Sequence, residues 1–301
     1  MTRVGVVDIG SNSTRLLVAD VEHGAIADEL DRRSEVTRLG QGVDATGRLA
    51  DEAMDRVRAT LERYRAILDD LHAERAVAVL TSATRDAANG PPFVEEVRER
   101  YRLDAQVLAG DQEAQLSFLG AVSARDPGDL TPTVVIDIGG GSTEFVVGHG
   151  REVDFHVSTQ AGVVRHSERH LHSDPPASGE LGVLARDARA VYEHGVPEDV
   201  RAGVERGIAV AGTATQLASV DGGSPIHGHV LDAPTIRALR DRLAALPLEE
   251  RRAVPGLDPA RAPTIVAGAV LLGEATALFG LAGVEVSERD ILHGAALRAG
   301  K

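Results

Sequence analysis

The chain has 301 residues, with 32 Lys and Arg against 46 Asp and Glu for a formal charge of −14, a length that suits about two domains. Hydrophobic residues make up 43% and aromatic residues only 3%, so the cores must be built from Val, Leu, Ile and Ala, and a disordered or collagenous chain is excluded. There is no cysteine, and Lys301 is the only lysine, which removes disulfides, thiolate metal sites, a cysteine nucleophile, a Walker-type phosphate lysine and Schiff-base chemistry.

In chain order, Val4 to Asp8 is an apolar run, Gly10-Ser11-Asn12-Ser13 a turn, and Thr14 to Asp20 alternates at strand period, so this segment is predicted to be a β-hairpin. Glu29 to Arg38 offers a third strand. Asp51 to Leu71 carries Met54, Val57, Leu61, Tyr64, Ile67, Leu68 and Leu71 at helical spacing. A strand over Ala76 to Leu80, helices near Thr84 and from Pro92, a strand near Ala105 and a helix after Gly110 follow. Asp126-Pro127-Gly128-Asp129 reads as a linker. Beyond it come strands from Val135, from Thr143 and over Glu152 to Ser158, then helices around Val163 to Leu171 and Gly179 to His194. A strand Gly207 to Ala211 runs into Gly212-Thr213-Ala214-Thr215. A long helix over Ala260 to Leu281, a strand Val284 to Val286 and a closing helix Glu288 to Arg298 complete the chain.

The opening is repeated. Val6-Val7-Asp8-Ile9-Gly10-Ser11-Asn12-Ser13-Thr14 aligns with Val135-Ile136-Asp137-Ile138-Gly139-Gly140-Gly141-Ser142-Thr143, which predicts two similar lobes. A Gly-rich turn between strands points backbone N–H groups into one concavity, and Ser or Thr hydroxyls add donors. Each loop alone could be an ordinary hairpin turn, but such a turn has no need to repeat its Asp. A Rossmann fingerprint is excluded because a strand, not a helix, follows Gly141.

The phosphate-binding candidates are therefore Gly10, Ser11, Asn12, Ser13, Gly140, Gly141, Ser142 and Thr143, joined by Gly212 and Thr213 just after the strand Gly207 to Ala211. Asp8 and Asp137 end apolar strands, where a carboxylate needs a cation or donors. A metal would satisfy them, with Glu144 as a further oxygen ligand in the sparse manner that Mg²⁺ prefers; turn N–H groups are the alternative. Arg15 takes in the first lobe the place of Glu144 in the second and is a candidate phosphate contact, with pairing inside its own lobe as the alternative. Arg85, in Thr81-Ser82-Ala83-Thr84-Arg85-Asp86, is another candidate fork for phosphate, or a solvated arginine. Glu113 stands in the first turn of a helix capped by Asp111, where the dipole favours its ionised form. His166 and His170 match an i, i+4 pair, but Ser167 stands where a zincin needs Glu, so a solvated polar face is expected. His227 and His229 fall in a probable loop and receive no role.

The sequence resembles the exopolyphosphatase / guanosine pentaphosphate phosphohydrolase family, within the wider actin, sugar-kinase and heat-shock-ATPase fold. The resemblance covers nearly the whole chain. Its motifs are Asp8 to Ser13, Arg38-Leu39-Gly40-Gln41-Gly42-Val43, Thr81 to Asp86, Gly110 to Gly120, Ile136 to Glu144, Gly162-Val163-Val164-Arg165, Ala211-Gly212-Thr213 and Ser287-Glu288-Arg289-Asp290-Ile291-Leu292. It implies an α/β chain of two RNase H-like lobes with the active site in the inter-lobe cleft, residues 1–126 and 129–287. The C-terminal helix, about 288–301, would pack back on the first lobe.

The resemblance further implies Mg²⁺- or Mn²⁺-assisted hydrolysis of the terminal phosphoanhydride of inorganic polyphosphate. Glu113 is then the catalytic residue, and Asp8, Asp137 and Glu144 hold the metal. Removal of the 5′-terminal phosphate of guanosine pentaphosphate, phosphate transfer to an acceptor, and non-catalytic sensing of polyphosphate or an alarmone are the rival readings. The chain looks like the short form of the family. It departs from the usual pattern at Gln112 and Gln115 around Glu113, at Pro263, and at Arg15 where a histidine is common. Duplex nucleic acid is not an expected partner, since an acidic surface repels phosphate. No run approaches the roughly 18 apolar residues of a membrane span and no targeting leader is seen, so a cytoplasmic protein is expected. A homodimer is left open.

Overall fold

A computed structural model describes residues 1–126 and 128–301, apart from the side chain of Asp44. Pro127, and with it part of the expected linker over 126–129, lies outside the described residues. The chain divides into two compact units, Met1–Ser123 with Asp290–Lys301, and Ala124–Arg289.

The first unit runs through β1 (Thr2–Ile9), β2 (Ser13–Glu22), β3 (Ala25–Val36), α1 (Val43–Thr46), α2 (Asp51–Asp70), β4 (Arg75–Leu80), α3 (Ser82–Asp86), α4 (Gly90–Tyr101), β5 (Asp104–Val107) and α5 (Gly110–Val122). The C-terminal helix, Ile291–Ala299, belongs to it. Its sheet has the order β3-β2-β1-β4-β5, antiparallel through the first three strands and parallel from β1 to β4 to β5. Strand period sorts its residues between two cores. Val7, Ile9, Leu16 and Val18 pack with Leu61, Tyr64 and Leu68 of α2. Val4, Val6, Leu17, Ala19 and Val21 pack with Leu116 of α5 and with Ile291, Leu292 and Ala295 of the C-terminal helix. Asp8 and Arg15 fall on this second face by the same alternation. There α5 and the C-terminal helix meet backbone to backbone: a Cβ on Gly120 would stand 1.8 Å from the Asp290 carbonyl oxygen, and one on Gly294 would stand 2.0 Å from that of Leu116.

The second unit holds β6 (Thr133–Ile138), β7 (Thr143–His149), β8 (Glu152–Thr159), α6 (Val163–His170), α7 (Ser178–Gly195), α8 (Glu198–Ala202), β9 (Arg206–Val210), α9 (Ala211–Asp221), β10 (Val230–Asp232), α10 (Ala233–Ala244), α11 (Leu248–Arg252), α12 (Ile265–Leu278) and β11 (Gly283–Val286). Its sheet order, β10-β11-β9-β6-β7-β8, repeats that of the first with β10 added at one edge. Strands β6, β7, β8, β9 and β11 take the places of β1, β2, β3, β4 and β5, with the same parallel and antiparallel senses. Each unit is thus an α/β lobe of the same strand order, as the sequence repeat predicts, and that order is the RNase H-like one that the resemblance implies. Val134, Ile136, Phe145 and Val147 face one large core with Tyr192, Leu217 and Leu271, which leaves Asp137 and Glu144 on the opposite side of their strands.

The helix expected over Ala260 to Leu281 is shorter, because turns occupy 259–264, where Pro259 and Pro263 break the pattern, and α12 begins at Ile265. Helices α1 and α8 to α11, and the short strand β10, were not predicted from periodicity. No helix among the described residues is long and apolar enough to cross a membrane.

Candidate active site

In the first unit β1, β4 and β5 run parallel with Ile9 beside Leu80 and Leu80 beside Val107. The loops that leave them, 10–13, 81 and 108–109, therefore emerge at one carboxyl edge of the sheet, where open α/β sheets bind ligands. The first loop is a tight closure, Gly10 N–H donating to the Ser13 carbonyl at 3.0 Å. Its other carbonyls are taken by the segment after β3: Thr37 and Arg38 N–H groups donate to Asn12, and Gly40 N–H to Ser11. Ser11 Oγ lies 2.9 Å from Ser82 Oγ, tying the loop to the start of α3.

Arg85 and Glu113 come together at this edge. Arg85 Nη1 donates to the Leu108 carbonyl at 2.9 Å and to Glu113 Oε2 at 3.4 Å. Glu113 is half-buried in the first turn of α5, where Gln112 accepts the Ala109 N–H and closes the helix start. The cap expected at Asp111 is absent, because α5 begins two residues earlier, after Ala109, which puts Asp111 inside the first turn.

Asp8 stands directly across the hairpin from Arg15, and its cation in this structure is that arginine. Arg15 Nε donates to Asp8 Oδ2 at 2.8 Å, Nη2 lies 2.7 Å from the same oxygen, and Nη1 donates to Asp290 Oδ2. The buried Asp8 keeps its second oxygen, Oδ1, without a hydrogen-bond partner among the described residues. Burial pushes its carboxyl upward, against the pull of Arg15. Asp290 is equally buried, yet Arg15, His293 and Arg32 overcome that burial and hold its carboxyl well below the usual range. Asp290 also caps the C-terminal helix, accepting the Leu292 N–H at 3.0 Å. Its part in the site was missed by sequence reasoning, since 275 residues separate it from Arg15 and no local spacing signals the pair.

The second unit repeats the edge with different chemistry. Gly139 N–H donates to the Ser142 carbonyl at 2.9 Å, and Val163 and Val164 at the start of α6 donate to the carbonyls of Gly139 and Gly140. Gly162 is required here, because a Cβ would meet the Gly140 carbonyl oxygen at 2.4 Å. Arg165 Nε donates to the Gly141 carbonyl at 2.9 Å. Asp137 stands across the hairpin from Glu144, the position that Arg15 takes opposite Asp8. Both are half-buried, and Glu144 Oε1 accepts the hydroxyls of Ser142 and, at 2.8 Å, Ser158.

Two of the predicted hydroxyls are engaged in the scaffold. Thr143 is fully buried, donates to the Ala161 carbonyl and lies 3.0 Å from the Tyr192 hydroxyl. Thr213 donates to the Ile138 carbonyl at 3.0 Å. Between β9 and α9, Ala211 holds φ at 62°, a left-handed backbone that costs a non-glycine residue about 1–2 kcal/mol. Gly212 follows, with the guanidinium of Arg261 so close that a Cβ would lie 2.0 Å from Nη1. Arg261 is not among the residues predicted for the site; its approach to Gly212 is a tertiary contact with no signal in spacing.

The sequence matches the Ppx/GppA phosphatase family over residues 4–299. The chain belongs to that family. It is 38% identical to exopolyphosphatase 2 of Mycobacterium tuberculosis across 99% of this chain and 98% of the relative. It is 28% identical to exopolyphosphatase 1 of Mycobacterium leprae across 98% and 89%. Among solved structures, an exopolyphosphatase from Cytophaga hutchinsonii superposes with a TM-score of 0.87 at 27% identity, covering 100% of this chain and 99% of that one. The Aquifex aeolicus member of the Ppx/GppA family does so with 0.81 at 29%, covering 99% and 97%.

Proposed function

We propose that this Ppx/GppA phosphatase is an exopolyphosphatase, which cleaves the terminal phosphoanhydride of inorganic polyphosphate and releases orthophosphate. The observation that carries this reading is the end-to-end likeness to exopolyphosphatase 2, which leaves almost no part of either chain unmatched. In this reading Glu113 orients the attacking water and takes its proton, its ionised state favoured by the start of α5. Arg85, 3.4 Å from that carboxylate, pairs with it and offers its remaining N–H groups to a phosphoryl oxygen. The loops at 10–13 and 139–142 each offer N–H and hydroxyl groups to phosphate oxygens. Arg15 serves this site indirectly, by neutralising Asp8 and Asp290 and so fixing the hairpin under the first loop.

The donor set of the second hairpin fits Mg²⁺ or Mn²⁺. Two carboxylates directly opposite on neighbouring strands repel each other, and Asp137 and Glu144 are hard oxygen ligands with Glu144 already oriented by two hydroxyls. When bound, the ion neutralises charge on the phosphoryl oxygens. In the first unit, Asp8 Oδ1 is a buried oxygen without a hydrogen-bond partner among the described residues. A cysteine-free, net-acidic chain suits the cytoplasm as its place of action.

The test is orthophosphate release measured in parallel from polyphosphate, guanosine pentaphosphate, and ATP with a sugar acceptor. Release from polyphosphate at the highest kcat/KM is expected. Preference for the pentaphosphate would reassign the substrate, sugar phosphate formation would reassign the reaction, and binding without release would leave a sensor.

A further inference from the structure

Helix α6 sets His166 and His170 one turn apart, and α7 brings Asp187 against them. The polar face expected for this pair is not solvated: His166 is fully buried, and neither ring nitrogen has a hydrogen-bond partner among the described residues. Leaving a buried polar group in that state is costly, so the site calls for something to fill it. Asp187 Oδ2 lies 3.5 Å from His166 Nε2 and 2.7 Å from His170 Nε2. One ligand atom from each residue falls within 4.8 Å of the other two. Donors about 2.0–2.1 Å from a tetrahedral ion stand roughly 3.3 Å apart, so small shifts would close this triangle on a metal.

We propose that His166, His170 and Asp187 form a second metal site, for a divalent ion of the zinc class, with water as the fourth ligand. Two imidazoles and one carboxylate favour such an ion over Mg²⁺, which suits all-oxygen ligands. A neutral imidazole is the form in which His166 would bind metal. The Gly162 carbonyl lies beside the ring without completing a hydrogen bond, and it is the kind of acceptor that fixes which nitrogen faces the ion. Arg169 Nη1, 3.2 Å from Asp187 Oδ2, occupies the outer side. Its side chain is 50% exposed and free to turn into solvent as the ion enters. The ion would lock α6 to α7, and α6 is the helix whose first residues hold the carbonyls of Gly139 and Gly140.

The experiment titrates the full chain with Zn²⁺ by calorimetry, with Mg²⁺ in excess to occupy hard oxygen sites, and follows the thermal midpoint and the visible spectrum with Co²⁺ in place of Zn²⁺. One Zn²⁺ per chain, retained through gel filtration and raising the midpoint, is expected. His170→Gln and Asp187→Asn should each weaken Zn²⁺ binding at least tenfold and abolish the rise. His149→Gln, whose ring pairs with Asp154 at 2.7 Å on β7 and β8, should change neither. Absence of a retained ion in the wild type, or unchanged affinity in the two variants, overturns the proposal. If a variant fails to fold, the wild-type Co²⁺ spectrum decides: intense tetrahedral bands support the site, and the weak spectrum of the hydrated ion overturns it.

Discussion

The two hairpins that open the lobes share a register and differ in one residue of consequence. Asp8 faces Arg15 in the first, and Asp137 faces Glu144 in the second. In the first lobe the chain supplies its own cation, and Asp290 is drawn into the same ion pair. In the second lobe a carboxylate takes the arginine's place and is held by serine hydroxyls. The strand geometry is thus kept in both lobes while the residue opposite the aspartate changes sign of charge.

The most damaging way to break this contrast is to impose the second hairpin's pattern on the first. Arg15→Glu would leave three carboxylates, two of them fully buried, with their chief cation gone. Removing one partner of a buried pair costs about 3–5 kcal/mol, so urea unfolding should show a loss of at least that size; a near-wild-type midpoint would mean that the pair is not structural. Next in size, Glu113→Gln should lower kcat on polyphosphate by roughly 10²-fold or more while equilibrium binding persists, since the amide keeps the shape without the base.

Glu144→Gln sharpens the contrast from the other side. The Mg²⁺ concentration for half-maximal activity should rise on the order of tenfold, as one anionic hard ligand becomes neutral, whereas an unchanged requirement would move the metal away from β7. The smallest effect concerns a carboxylate held by hydrogen bonds alone. The Ser173 hydroxyl and the N–H groups of Ala177 and His172 hold Glu180 down to about 2. Its folded value lies below its unfolded one near 4.5, so its stabilisation is present above that pH and is lost as the pH falls toward 2. Melting of Glu180→Gln against wild type should show a small deficit at pH 7 that vanishes near pH 2.

Much of this was legible in the sequence because it is local. Alternation across Val4 to Asp20 marked the first hairpin, and its recurrence after residue 133 marked the second lobe together with the pairing of position 15 with position 144. The helices between 211 and 252 were not legible. The segment Ala211 to Asp221 is rich in small and β-branched residues and follows a strained turn, so tertiary packing, not propensity, makes it helical. Asp290, the Arg261 contact with Gly212 and the burial of His166 arise only when distant segments meet. Spacing alone suggests a surface for His166, and a helix of eight residues whose one face is covered by α7 makes it a core residue.

The division of the chain bears on how it is made. The first unit contains the first 123 residues and the last 12, and its sheet lacks the cover of Ile291, Leu292 and Ala295 until those residues have been synthesised. The second unit is one continuous stretch and holds all its own core residues. During vectorial synthesis, where domains fold as units while the chain emerges, the first unit therefore completes its core after the second has been made. Until then the part of that face that Ile291, Leu292 and Ala295 cover stays open, apolar surface of the kind that makes a partly folded chain prone to aggregate.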